Sequence, residues 1–175
     1  MPSTAANEQT DVAFSVERWS ATSGSQRASR ADLVLEGGGR KWRAHAAGNG
    51  AIDALLRAVD TALGPVLGQG VELQTYNVHA TGQGHETAAV VTLSLRPRGG
   101  DPDVPAHPGR GTHHNVLEAS LVAYVDAINR LVAHNQVDLA AAAPAPGETE
   151  LPSQDDDAAG RRAHSERFSE MFNPD

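Results

Sequence analysis

Metal ligation, nucleophilic attack and anion capture each need particular side chains, and this 175-residue chain holds some candidates for each. His113 and His114 are adjacent, with His107 and His79 elsewhere in the same half. Neighbouring residues on a strand point to opposite faces, so the pair does not ligate one ion together. A polar lead into the following helix is the plainer reading, and no metal site is expected. Ser20 and Ser120 lack a G-x-S-x-G setting, and there is no cysteine to serve as nucleophile. Asp155 to Asp157 form a carboxylate run in a segment without periodicity, where acids are simply solvated. Base, nucleophile and oxyanion donor are nowhere assembled. The expectation is a chain with no catalytic residue, no metal and no cofactor of its own.

Gly48-Asn49-Gly50 is a different kind of candidate. It leads straight into an apolar-periodic helix, AIDALLRAV, and so sets backbone N–H groups at a helix N-terminus, where the macrodipole favours an anion. The surrounding pattern matches neither the Walker A nor the dinucleotide fingerprint, and a carboxylate fits as well as a phosphate. A tight turn at positive φ is the structural alternative. Two further strings bear on the choice. Tyr76-Asn77-Val78-His79-Ala80 ends a strand, and Thr87-Ala88-Ala89 presents small side chains that leave room against a sheet. A helix N-terminus, a tyrosine and a floor of Ala and Thr suit an amino acid with an apolar side chain.

The elements that must position these residues come as a weak internal repeat. VERWSATSGSQRASRADLVLE is echoed by VELQTYNVHATGQGHETAAVVTLSLRP, each an alternating strand, a polar Gly-bearing turn and a second strand. RKWRAHAAG supplies a third strand in the first unit, with Trp42, Ala44 and Ala46 alternating against polar residues. A helix closes each unit. In the first, Ile52, Leu55, Leu56, Val59 and Leu63 share a face, Asn49 is the expected N-cap and Gly64-Pro65 the stop. In the second, Asn115 and Glu118 form a capping-box-like start ahead of the stripe Leu117, Leu121, Tyr124, Ile128 and Leu131. The spacing predicts an α+β fold of two βββα units packed as a small two-layer domain, units one and two covering about 12–64 and 70–134. So little core for this length predicts a homodimer.

Composition narrows the function classes. Apolar residues are 39% and aromatics 4%, so the core must rest on Ala, Val, Leu and Ile. Net charge is −8, but eight acidic against three basic residues from Glu148 onward carry most of it. With no basic stripe in the body and few aromatics to stack bases, nucleic acid is not an expected partner. The polar start MPSTAANEQTD has no leader pattern, and no apolar run is long enough to span a bilayer, so the expected location is cytoplasmic and no membrane partner is expected. Residues 1–11 and the Ala/Pro/acidic stretch 135–175 read as disordered, and RFSEMF near the end reads as a frayed terminus or, alternatively, a docking motif for a partner protein.

Three strings together, GNGAIDALLRAV, L-x-x-Y-x-x-HA-x-x-x-G and GRGTHHNVLEASLVAYVDAINRL, resemble the C-terminal regulatory domain of 2-isopropylmalate synthase. The resemblance runs from about Val12 to Ala133, its most specific pieces being G-N-G and A-S-x-x-A-x-x-x-A-x-N, Ala119 to Asn129. It implies two βββα units per chain, a dimer with leucine bound between units at the interface, and feedback inhibition of leucine synthesis. The implied leucine pocket comprises Gly48, Ile52 and Asp53, with Asn49 and Gly50 of the same loop, then Leu73, Tyr76 and Ala80, and opposite them Thr87 and Ala89. Asp53 would either repel a ligand's carboxylate or pair with its ammonium. The family's synthases also carry a (β/α)₈ barrel of over ~200 residues, for which there is no room ahead of Val12. The expectation is therefore a regulatory domain that binds leucine or a similar small amino acid and modulates a separate synthase. The competing expectation is a ligand-free assembly module that docks a partner protein.

Overall fold

The computed structural model describes residues 14–82, 84, 87–137, 139, 141 and 142. Two antiparallel three-stranded sheets alternate with helices along the chain. β1 (Phe14–Gly24), β2 (Arg27–Gly37) and β3 (Arg40–Gly48) form the first sheet in that order, followed by α1 (Ala51–Ala62) and a short turn of helix α2 (Gly64–Leu67). β4 (Val71–Thr81), β5 (Ala88–Pro97) and β6 (His107–His113) form the second, followed by α3 (Val116–His134). This is the expected pair of βββα units, and the third strand of the first coincides with RKWRAHAAG.

Period-2 alternation explains each central strand. In β2, Ser29, Ala31, Leu33, Leu35 and Gly37 are buried towards the helix, while Arg30, Asp32 and Glu36 face water. α1 packs on β2 and β3, α3 packs on β5 and β6, and the two helices touch each other. One apolar cluster therefore runs through both units, from Phe14, Leu35 and Trp42 to Leu95, Tyr124 and Ile128. Each unit contributes a strand layer and a helix layer to this α+β fold.

The repeat is sharper in the hydrogen-bond register than in the letters. The first strand of each unit carries a bulge at the same place, between Val16 and Arg18 and between Leu73 and Thr75. Val16 then faces Leu35 as Leu73 faces Leu95, and Trp19 faces Leu33 as Tyr76 faces Leu93. One extra residue keeps side chains three apart in sequence on one face of the sheet.

Helix α3 begins as expected, with the Asn115 side chain accepting from Leu117 N–H at 2.9 Å. Glu118 does not complete a capping box. Its carboxylate accepts from Trp19 Nε1 on β1, and the Asn115 N–H donates to His113 Nδ1 at 3.0 Å instead. Two expectations at α1 are corrected. The N-cap is Gly50, not Asn49, and neither Gly48 nor Gly50 has positive φ; Gly50 is extended at −153°. What demands glycine at 48 is closeness: a Cβ there would lie 2.5 Å from Ala54 N. Gly64-Pro65 ends α1 only to open α2, because proline is tolerated in a first turn.

Past α3, Val137, Leu139 and Ala142 pack against the core, and Arg40 Nη1 donates to Ala142 O at 2.9 Å. Expectations for residues 1–11, for Asp155 to Asp157 and for RFSEMF lie outside the described residues. Among the described residues no helix is long and apolar enough to cross a membrane.

Candidate ligand-binding site

The structure gathers the nominated residues into two groups, one in each unit. Gly48, Asn49, Gly50, Ile52 and Asp53 lie at the junction of β3 and α1. Leu73, Tyr76 and Ala80 lie on β4, Ala89 at the start of β5 and Thr87 just ahead of it.

At the first group, Asp53 sits in the first turn of α1 and reaches back to accept from Asn49 N–H at 2.9 Å. Arg57, one turn later, donates Nε to both Asp53 oxygens at 3.0 Å. The backbone bond from Asn49, and then Arg57, hold the Asp53 carboxyl below the usual carboxylate range. The chain thus places its own carboxylate at the positive end of α1. A second negative group there meets Asp53 directly, whereas an ammonium meets an ionised partner.

The second group is a floor. Ala80 pairs with Ala89 and Tyr76 with Leu93, and the bulge at Gln74 puts Leu73 on the same face as Tyr76, Val78 and Ala80. This face looks towards the helix layer, yet α3 lies over β5 and β6 and leaves β4 largely uncovered. Leu73 is 43% and Val78 45% exposed. Tyr76 is half-buried, with its hydroxyl 2.6 Å from Ser120 Oγ. Ser120 spends its own proton on Val116 O, so Tyr76 is the donor. Ser120 is buried in this role. Thr87 donates to Gly84 O at 2.7 Å.

Among the described residues no three His, Cys, Asp or Glu side chains group as metal ligands. The His107 ring lies 5.3 Å from that of His134, centroid to centroid, and burial, then His134, hold its pKa low.

One polar feature went unread in the sequence. An open groove of about 590 Å³ is lined by Asp53, Arg57, Asp60, Thr61, His45 and Arg98. At its base Tyr124 Oη donates to Asp60 Oδ1 at 2.7 Å, from α3 to α1. Burial pushes the Asp60 carboxyl up to about 6 against the Tyr124 bond and the charges of Arg98 and Arg57. The available signal was a tyrosine inside an apolar helix stripe, because a buried phenol needs a partner for its hydroxyl.

Residues 3–132 match the family described as the LeuA allosteric (dimerisation) domain. The chain belongs to that family. Among curated relatives, the LeuA domain here is similar to a 2-isopropylmalate synthase of Stenotrophomonas maltophilia, 34% identical over 121 residues, 67% of this chain and 21% of that protein. It is 35% identical over 101 residues to one from Nitrosospira multiformis, covering 58% and 18% of the two chains. The enzyme of that name from Acetivibrio thermocellus is 28% identical over 126 residues, 71% of this chain and 23% of the other. The chain spans about a fifth of the length of these relatives.

Proposed function

We propose that this LeuA domain binds leucine or a similar small amino acid and thereby modulates a 2-isopropylmalate-synthase-like enzyme of branched-chain amino-acid biosynthesis. The observation that carries this reading is the coincidence of family and geometry. The residues nominated as the pocket include an ionised carboxylate at a helix start and an apolar floor on the adjacent unit's β4. In this arrangement Asp53 pairs with the ligand's ammonium, and Leu73, Tyr76, Ala80 and Ala89 receive its apolar side chain. Thr87 and Ile52 border the pocket, and Gly48, Asn49 and Gly50 form its wall beside Asp53. The domain works as a homodimer in the cytoplasm, with the uncovered face of β4 turned to the second copy.

Calorimetric titration with leucine, isoleucine, valine and lysine tests this. The expected result is saturable heat with leucine near one ligand per protomer, lost in Tyr76→Ala with the fold intact by circular dichroism. A flat trace from a folded protein contradicts it.

One observation favours a second reading, a ligand-free assembly module. Asp53 already occupies the Asn49 N–H and puts the chain's own carboxylate at the helix start without a guest. A flat titration combined with unchanged partner assembly in pocket variants would select that reading.

A further inference from the structure

The two βββα units meet helix against helix, and a polar bond there ties α3 to α1. Tyr124, 3% exposed on α3, donates to Asp60 on α1 at 2.7 Å. The buried residues of both helices are otherwise mostly apolar, among them Ala58, Val59 and Ala62 on α1 and Leu121, Val125 and Ile128 on α3. The two ends of the bond differ in access. Tyr124 is closed in, while Asp60 lines the open groove, so its carboxyl exchanges protons with solvent.

The charged groups facing Asp60 are few. Arg57 comes from α1 itself and Arg98 from the segment after β5, while Asp53 and His45 line the same groove. Both arginines are committed elsewhere. Arg57 holds Asp53 at 3.0 Å, and Arg98 stands 3.8 Å from Glu72. Their attraction for Asp60 acts at a distance and does not offset its burial.

We propose that Asp60 and Tyr124 form a proton-gated clasp between the two βββα units. The ionised carboxylate accepts the phenol hydrogen bond but leaves a partly buried charge at the edge of the helix contact. The neutral acid accepts the same bond through one oxygen and turns its own O–H to the groove, so the seam carries no charge. Gaining a proton therefore tightens the contact between units, and losing it loosens that contact.

The direction in pH follows from linkage. Burial raises the folded carboxyl to about 6 from the ordinary 3.8, so the folded form binds this proton more tightly than the unfolded one. The clasp's contribution is complete below the unfolded value. It declines as pH rises from about 4 through about 6 and is flat above. A shift of this size corresponds to roughly a hundredfold in the opening equilibrium, since each unit of pKa is a factor of ten.

Carboxyl ¹³C and ring NMR of the full chain, followed through pH 4 to 8, tests the clasp directly. Asp60 is expected to titrate near 6 with the Tyr124 ring signals moving at the same midpoint. Tyr124→Phe is expected to move that midpoint upward, because the phenol bond holds it down. Amide exchange corrected for intrinsic rate supplies a second measurement. Protection along the α1–α3 seam is expected to be at least tenfold higher at pH 5 than at pH 8 in the wild type. In Asp60→Asn, which keeps an acceptor without a charge, it should be nearly equal at the two. An Asp60 midpoint in the ordinary carboxylate range, or a Tyr124 ring that ignores it, would overturn the proposal. So would equal pH dependence in wild type and Asp60→Asn.

Discussion

At the scale of single residues, backbone closeness decides more than side-chain chemistry. Gly109 and Gly111 on β6 lie directly under α3, where an added Cβ would sit 2.0 Å from Ala123 O and 2.1 Å from Ala119 O. Both obstacles are helix backbone and cannot rotate away. Gly111→Ala is therefore expected to cost about 3 kcal/mol or more in chemical denaturation, far above a surface change. Tyr76→Phe is gentler. Ser120 keeps its bond to Val116, so the loss is one hydrogen bond, about 1 kcal/mol in the same assay. Asp53 gives a pH signature of the opposite sign to Asp60. Its folded carboxyl is held low, so its stabilisation is present above the ordinary carboxylate range and disappears as pH falls through the folded value. Thermal melts of Asp53→Asn should show a deficit at pH 7 that vanishes at strongly acid pH. Which glycine needs what was not readable from letters. G-N-G suggested positive φ, but the pressure on Gly48 comes from Ala54 and Asp53, whose proximity only the folded β3–α1 junction creates.

At the scale of elements, periodicity carried most of the information. The stripes in α1 and α3 and the alternation of β2 and β5 are patterns that water and an apolar core impose directly. Asn115 was legible as a cap because its neighbours in sequence are its partners in space. Asn115→Ala is expected to destabilise the protein by about 1 kcal/mol. Where partners come from another unit, local reading failed. Glu118 looked like the far half of a capping box and instead holds Trp19 across the seam. The bulges at Glu17 and Gln74 break strict alternation in β1 and β4, which is why the helix-facing set Leu73, Tyr76 and Val78 does not show as a simple period of two. The nominated pocket residues were placed by resemblance and by side-chain size. Their division between two units is a property of the chain path, which no short string contains.

At the scale of the whole molecule, the second sheet is less covered than the first. α3 reaches across to β1, where Asn129 exchanges hydrogen bonds with the Phe14 backbone at 2.8 and 2.9 Å. On β4, Leu73 and Val78 remain 43% and 45% exposed. Contiguous exposed apolar side chains on a sheet edge mark a contact surface, and in the proposed homodimer this is the face the copies share. Light scattering should find a dimer for the wild type and a monomer for Val78→Arg, while a wild-type monomer at every concentration would remove the dimer from the account. Site and ligand are addressed together by a leucine titration of the isotope-labelled chain followed by amide NMR. Saturable shifts are expected, confined to Gly48–Asp53 and to the Leu73–Ala80 and Thr87–Ala89 stretches. Unmoved signals at millimolar leucine, or shifts clustered elsewhere, would contradict leucine binding at this site.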